Sequence, residues 1–187
     1  MTSPLIALAA GMLCADGSCI LPTRPDPVGE PIGERMTTET ISAEPVVTVE
    51  ERLAVLDAVY RYATGIDTRD WDLFRTAFAD DAVIDFGFAS WPSGDTFTTF
   101  MRDTHEPAGR TLHRMSNTVT TRTATGELTA RTYGDAVVFQ ADNITGTIAN
   151  AWYDDIFVPA NGGYRISSRT VHMISMRTIG PNLAADM

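Results

Sequence analysis

Helical periodicity begins near position 50. Apolar residues recur there three or four positions apart, the spacing of a helix buried along one face, at Leu53, Leu56, Val59, Tyr60 and Ala63. The sequence Thr48-Val-Glu-Glu51 just before them is a capping box, in which each of the two end side chains can bond to the other's backbone. The pattern predicts a first helix that begins after Thr48 and weakens at Gly65.

Two shorter helices and one strand follow. Asp70 is a suitable N-cap for a second helix, whose apolar side carries Trp71, Phe74 and Phe78. The acidic pair at 80–81 closes that helix, and residues 82–88 are typical of a strand. A third helix is predicted from Gly94 to about Arg102, with its inward side formed by Phe97, Phe100 and Met101.

The second half of the chain changes to strand patterns rich in Thr and Val, separated by turns that contain glycine. Four long strands are predicted, at 111–123, 128–140, 144–158 and 164–178. Helices followed by a meander of antiparallel strands predict an α+β fold. A long, strongly curved sheet wrapped round a helix leaves a conical cavity.

Composition narrows the function. The 187-residue chain is 44% hydrophobic, enough for one core, and its formal net charge of −10 argues against binding to nucleic acid or to an anionic membrane surface. All 14 basic residues are arginines. Without lysine, no Schiff base, pyridoxal phosphate anchor or P-loop is possible. No nucleotide-binding glycine motif is present, so no cofactor is expected.

The segment 1–47 is predicted to be an arm outside the core, and 179–187 a C-terminal tail. Five prolines at 21–45 favour a flexible extension, or an arm that packs over a neighbouring subunit. Cys14 and Cys19 favour a local disulfide or two free thiols over a metal site. The apolar run at 5–13 is too short to span a bilayer and lacks preceding basic residues, so a cytoplasmic location is the default expectation.

The stretch 56–86 resembles the opening of the SnoaL-like, NTF2-like superfamily. The residues that carry the resemblance are, in order, Tyr62, Asp67, Asp70-Trp71, Phe78 and Asp80-Asp81-Ala82-Val83, followed further on by His113 and Asn117. The likeness covers roughly 48–178. It implies the cone of ketosteroid-isomerase-like proteins, with helices packed in a strongly curved antiparallel sheet around a pocket for a small hydrophobic molecule.

Within the superfamily, the chain is most similar to the branch of scytalone dehydratase and bile-acid dehydratases. That branch implies catalytic roles for Tyr62, Asp67 and His113, with Asp135 as the fourth member if the hairpin before it is shifted by one residue. No clear equivalent exists for the second histidine and second pocket tyrosine of scytalone dehydratase. The branch also implies a homo-oligomer, a trimer more than a dimer.

The residues themselves suggest acid–base chemistry. Asp67 on one ring nitrogen of His113 would fix the tautomer and stabilise the protonated form, which leaves the other nitrogen to move a substrate proton. Tyr62 could donate a hydrogen bond to an enolate oxygen. Asp135 could orient the substrate or share the proton, or could equally lie at an exposed sheet edge. His105, in a polar turn, is expected to be solvated.

Seven further residues are candidates for contact with the substrate: Phe86, Met115, Asn117, Tyr133, Asn150, Trp152 and His172. Together these features predict a cofactor-free and metal-free dehydratase or isomerase that acts on a hydrophobic, carbonyl-bearing metabolite. Two alternatives stay open. One is a polyketide-type cyclase of natural-product biosynthesis, and the other is a non-catalytic binding module of the same fold.

Overall fold

The computed structural model describes residues 13–15, 18–20 and 46–180. In the unit Met1–Ile41, strand β1 (Leu13–Ala15) pairs antiparallel with β2 (Ser18–Ile20), and the backbone of Cys14 lies opposite that of Cys19. The proline-containing stretch 21–45, the apolar run at 5–12 and the tail from 181 lie outside the described residues. The second unit, Ser42–Met187, contains all the other helices and strands.

Three helices belong to this second unit: α1 (Val49–Thr68), α2 (Trp71–Arg75) and α3 (Gly94–His105). The predicted capping box is confirmed, because the backbone N–H of Glu51 donates to Thr48 Oγ1 at 3.1 Å and that of Thr48 donates to Glu51 Oε2 at 3.0 Å. Asp70 caps α2 as predicted. None of the helices among the described residues is long and apolar enough to cross a membrane.

The buried face of α1 differs from the predicted one. Leu53 is 61% exposed and Tyr60 is 50% exposed, whereas the core side carries Val55, Ala58, Val59, Tyr62, Ala63 and Ile66. Both sets have helical spacing, so periodicity alone could not choose between two overlapping faces of the same helix. Gly65 does not end the helix. A Cβ there would lie 2.7 Å from the backbone of Phe74, so the glycine permits close approach of α2.

The strands form one six-stranded sheet in the order β4-β3-β8-β7-β6-β5. Their bounds are β3 (Phe78–Asp85), β4 (Ser90–Trp91), β5 (Thr111–Arg122), β6 (Leu128–Phe139), β7 (Gly146–Ala160) and β8 (Gly163–Ile179). β3 begins before the predicted 82–88, because Phe78 already pairs with β8. β3 runs parallel to β8 and the other neighbours are antiparallel.

The helices pack against the concave inner face of the sheet, and the core lies between them. Its centre is a group of mutually contacting aromatic rings, Tyr62, Phe74, Phe78 and Phe97, whose centroids lie 5.3–6.2 Å apart. The predicted α+β cone of the NTF2-like type is confirmed. Its inner and outer sheet faces, defined by alternate residues along each strand, determine which side chains can reach the cavity.

Candidate acid–base site

Asp67 and His113 meet where the end of α1 touches the start of β5. Asp67 Oδ1 lies 2.7 Å from His113 Nδ1, and Asp67 Oδ2 accepts the backbone N–H of His113 at 2.7 Å. The hydroxyl of Thr111 donates to Asp67 Oδ1 at 2.9 Å. The carboxylate is thus held at both oxygens, and it fixes the imidazole in one orientation.

Arg69 supports this junction. Its backbone adopts the left-handed conformation (φ 59°) that ends α1, and its N–H bonds to the carbonyl of Ile66 at 3.2 Å. Its guanidinium then donates to Thr111 Oγ1 at 2.9 Å and to the carbonyl of Gly109 at 2.8 Å. A single side chain therefore ties the helix end that carries Asp67 to the strand that carries His113.

The contacts define the charge of Asp67 and the tautomer of His113. Burial tends to raise the pKa of Asp67, but the hydrogen bonds from the side chain and backbone of His113 outweigh it and hold the pKa below the usual aspartate value. Asp67 is therefore a carboxylate at neutral pH, which can only accept, so His113 Nδ1 carries the hydrogen. The other ring nitrogen, Nε2, is the acceptor of the neutral imidazole.

His113 forms part of the wall of a cavity of about 280 Å³ between the helices and the inner sheet face. In register, His113 pairs with Ala136, Ala136 with Ala149, and Ala149 with Met176, and all four line the cavity. The two alanines leave room beside the imidazole. Most other lining residues are apolar, among them Phe86, Phe88, Phe100, Met101, Val138, Val171 and Met173.

Tyr62 also lines this cavity from α1. Its ring meets that of His113 edge-on, with 6.3 Å between centroids, and it is almost fully buried. Burial, followed by the neighbouring Tyr153, raises the pKa of the Tyr62 phenol well above its usual value. The phenol therefore keeps its proton, which it can donate to the neighbouring Tyr153 hydroxyl or to a molecule in the cavity. The structure brings Tyr62, Asp67 and His113 together.

Asp135 lies on the outer face of the sheet. Ala136, not Asp135, is opposite His113, and Asp135 faces away because successive strand residues point to opposite sides. Its carboxylate accepts from Asn150 Nδ2 at 2.7 Å and lies 3.7 Å from the guanidinium of Arg114, while Ser175 donates to Asn150 at 2.9 Å. The β5–β6 pair does contain a register shift, between Ser116 and Val119, but this shift brings Ala136 and not Asp135 opposite His113.

The predicted substrate contacts divide in the same way. Phe86 lines the cavity, and Met115 packs against the core beside it. Asn117 is exposed at an irregularity of β5, where its φ is 50°. The remaining four lie on the outer face and do not reach this cavity: Tyr133, Asn150, Trp152 and His172.

His105 corrects an expectation. Its polar neighbours predict a solvated turn, but α3 extends beyond Arg102 to include His105. Its ring lines the cavity, 6.0 Å from that of His113. Burial, with His113 as the next contribution, lowers its pKa to about 4. The cavity therefore holds two imidazoles.

The sequence of this chain matches a known protein family. The model of the SnoaL-like domain matches residues 47–170, about two thirds of the chain. The chain belongs to the SnoaL-like family. No curated protein sequence matches it.

Solved structures share the SnoaL-like fold at low sequence identity. They include a candidate scytalone dehydratase from Novosphingobium aromaticivorans (16% identity, TM-score 0.62, 70% of this chain and 92% of that one). A second is hexachlorocyclohexane dehydrochlorinase LinA-type3 from Novosphingobium barchaimii (13%, 0.61, 70% and 90%). A third is ActVI-ORFA from Streptomyces coelicolor (19%, 0.57, 66% and 96%). At these identities the likeness establishes the fold alone.

A buried ion pair next to the rings of Tyr62 and Tyr153 in this SnoaL-like domain was not predicted from the sequence. Arg169 of β8 and Asp155 of β7 form a fully buried, two-bonded ion pair at 2.8 and 2.7 Å. The guanidinium lies 4.3 Å from the ring centroid of Tyr62 and 4.7 Å from that of Tyr153, which also lines the cavity. The facing positions of Arg169 and Asp155 on neighbouring strands were the available signal, but it needed the correct register.

The site does not resemble a metal centre. Among residues 46–180 and the two short strands before them, no group of three His, Cys, Asp or Glu side chains is arranged to hold a metal ion. What the cavity offers is two imidazoles, two neighbouring phenols, the hydroxyls of Thr104 and Thr147 and an otherwise apolar wall. This set is suited to proton transfer on a small organic molecule.

Proposed function

We propose that this protein is a cofactor-independent acid–base enzyme, a dehydratase or isomerase, which acts on a small hydrophobic carbonyl compound. The observation that supports it most is the His113 imidazole, fixed by Asp67 at 2.7 Å and facing an apolar cavity of about 280 Å³. Ligand pockets start at about 300 Å³, so the volume favours a compact substrate.

The reaction begins with proton transfer to His113. Its Nε2 takes a proton from the carbon next to the carbonyl, and the electrons of that C–H bond form an enolate. Asp67 stabilises the positive charge that develops on the imidazole. The phenol of Tyr62 donates a hydrogen bond to the enolate oxygen, in a cavity whose wall is mostly apolar.

Two outcomes follow from the same enolate. In a dehydration, the enolate electrons expel a hydroxyl from the β-carbon, and the hydroxide takes the proton held by His113 and leaves as water. In an isomerisation, His113 returns the proton to a different carbon and the double bond moves. Both balance without an electron carrier. The relatives that support this reading include a candidate scytalone dehydratase and a dehydrochlorinase.

Solvent exchange of the α-proton tests the proposal directly. A panel of cyclic and aromatic ketones is incubated in D₂O with the wild type, with His113→Ala and with His172→Ala, and loss of the α-proton signal is followed by NMR. Exchange is expected with the wild type and His172→Ala, and a drop of roughly 10²–10⁴-fold with His113→Ala. Circular dichroism checks that both variants fold.

The alternatives give different results. A wild type that binds a ketone without exchanging its α-proton would indicate a non-catalytic binding module. Exchange that persists in His113→Ala would assign the base to another residue. A cyclase would convert a linear polyketone to a ring. When no water is lost, the product has the same mass as the substrate, so NMR and not mass spectrometry detects the reaction.

A further inference from the structure

The second imidazole of the cavity has a defined hydrogen-bond pattern. His105 Nδ1 lies 3.0 Å from the carbonyl oxygen of Met101, one turn earlier in α3, and 3.0 Å from the hydroxyl oxygen of Thr104. A carbonyl oxygen can only accept, so Nδ1 carries the hydrogen and Nε2 has the free lone pair. The bond to Met101 therefore fixes the tautomer of His105 in the absence of any ligand.

Nε2 of His105 is available to a molecule in the cavity. Within 46–180, this atom has no hydrogen-bond partner, while the ring forms part of the cavity wall. Since the pKa of His105 is lowered to about 4 by burial, the ring is neutral at neutral pH and Nε2 is an acceptor. His113 has the same hydrogen-bond pattern: its Nδ1–H donates to Asp67, and its Nε2 is left for a molecule in the cavity.

The rest of the wall explains why this acceptor has a specific role. Ala136 and Ala149 face His113 across the sheet and have no polar side-chain atoms. The hydroxyl of Thr104 lies 2.9 Å from the carbonyl of Phe100, where its hydrogen is used. The phenols of Tyr62 and Tyr153 and the hydroxyl of Thr147 can both donate and accept, whereas Nε2 of His105 can only accept. A substrate hydroxyl therefore finds in His105 an acceptor with no competing proton of its own.

We propose that His105 accepts a hydrogen bond from a hydroxyl group of the ligand, so that the cavity selects hydroxyl-bearing carbonyl compounds. The role of His105 in the reaction rests on the proposed function, whereas its hydrogen bond to a ligand hydroxyl does not. In the dehydration, His113 Nε2 removes the α-proton while His105 Nε2 holds the β-hydroxyl. The C–O electrons leave with the oxygen, which takes the proton from His113 and departs as water.

Binding of a matched pair of probes tests this assignment. Phenol and toluene have nearly the same shape, and only phenol can donate a hydrogen bond. The ratio of their dissociation constants, toluene over phenol, is measured by NMR titration for the wild type, His105→Phe, His105→Gln and His172→Phe. The last variant makes the same change on the outer face, and circular dichroism checks the fold of each.

The expected result is a ratio that falls roughly two- to tenfold in His105→Phe, the worth of one neutral hydrogen bond. It should recover partly in His105→Gln, whose amide oxygen can accept, and stay unchanged in His172→Phe. The ¹⁵N signal of His105 Nε2 should also shift with phenol and not with toluene. An unchanged ratio in His105→Phe, or no binding of phenol by the wild type, would overturn the proposal.

The two proposals can fail separately. The probe experiment measures only binding, so a failed α-proton exchange test leaves its result intact. Once a substrate that exchanges is known, the wild type and His105→Phe are compared on a β-hydroxy ketone and on the matching ketone without the hydroxyl. His105→Phe should lower elimination from the β-hydroxy ketone several-fold more than it lowers α-proton exchange on the ketone without the hydroxyl. Equal loss of both reactions would contradict the specific role of His105.

Discussion

Among the described residues, a histidine on each face of the sheet meets an aspartate, and the two pairs differ in burial and in their other partners. On the inner face, His113 and Asp67 are 2.7 Å apart with side chains 6% and 21% exposed. On the outer face, His172 Nε2 and Asp154 Oδ2 are 3.1 Å apart with side chains 41% and 36% exposed. The comparison separates what a pair needs for catalysis from what it needs merely to form.

The outer carboxylate is already neutralised. Arg131 donates to both oxygens of Asp154 at 2.7 and 2.8 Å, and this contact is the main reason that the pKa of Asp154 is lowered. The ring of His172 stacks on Trp152 at 4.9 Å, with only 13° between the planes. On the outer face the carboxylate is shared with an arginine and the imidazole is open to water, so the pair is a surface contact. On the inner face Asp67 bonds to a histidine that lines a cavity.

Removing the charge from each aspartate should give the largest contrast. Asp67→Asn is expected to lower turnover roughly 10²–10⁴-fold, because the neutral amide neither stabilises the imidazolium nor enforces the Nδ1–H tautomer. Asp154→Asn should stay within about twofold of the wild type. Steady-state kinetics on a ketone that exchanges its α-proton, with thermal unfolding as the control, measures both.

Two results would contradict the expected difference between Asp67→Asn and Asp154→Asn. If Asp154→Asn lost as much activity as Asp67→Asn at unchanged stability, the outer pair would be part of the reaction and the cavity would not be the site. If neither variant lost activity, His113 would work without its carboxylate.

One buried and one exposed arginine–aspartate pair can also be compared, and they should differ in their contribution to stability. Arg169→Met leaves the fully buried Asp155 without its partner, at an expected cost of about 3–5 kcal/mol in the free energy of unfolding. Arg131→Met breaks the exposed pair with Asp154 and should destabilise the protein far less, because solvent screens that pair. Urea unfolding at pH 7 measures both values.

A double variant sharpens this prediction. Replacing both members of the buried pair, Arg169→Met with Asp155→Leu, should recover part of the lost stability, because no isolated charge remains in the core. Equal destabilisation by Arg169→Met and Arg131→Met would show that burial does not control the worth of these pairs.

A smaller effect is expected from pH through His105. Its folded-state pKa of about 4 lies below the ordinary 6.5, so the unfolded chain takes up the proton first as the pH falls. Its contribution to stability is complete above pH 6.5 and is lost as the pH falls towards 4. The charged and titratable groups near it are His113, Arg69 and Asp67.

The measurement is urea unfolding of the wild type and of His105→Gln at pH 7 and pH 5. Between these values the wild type should lose about 1 kcal/mol more than the variant, a figure reduced from the full linkage value because the ring is only partly buried. Equal losses would mean that His105 titrates normally, and the neutral acceptor inferred for the cavity would lose its support.

Local signals in the sequence were sufficient for much of this picture. The capping box at Thr48, the N-cap at Asp70 and the change from helical to alternating periods depend on neighbours within a few residues, and the structure has them where predicted. The meeting of Asp67 with His113 came from the resemblance to the family, since 46 positions separate them.

What depends on register could not be predicted. The position opposite His113 is Ala136, and a shift of one residue exchanges every side chain between the faces of a strand. A one-residue shift is what would align Asp135, and the choice of the inner face of a strand affects the other candidates in the same way. Five predicted pocket residues lie outside the cavity: Tyr133, Asp135, Asn150, Trp152 and His172. The same rule applies to His105, because its position depends on three further residues of α3 beyond the predicted end.

Asp135 therefore gives the smallest expected effect and the most direct check of the register. Its carboxylate is about half exposed and bonds only to Asn150 at the surface, with Arg114 at 3.7 Å. Asp135→Asn should keep turnover within about twofold and the free energy of unfolding within about 0.5 kcal/mol. The matched comparison is Asp67→Asn, the same chemical change on the inner side. A tenfold loss of turnover in Asp135→Asn, without loss of stability, would place that carboxylate in the cavity and shift the whole β5–β6 register by one residue.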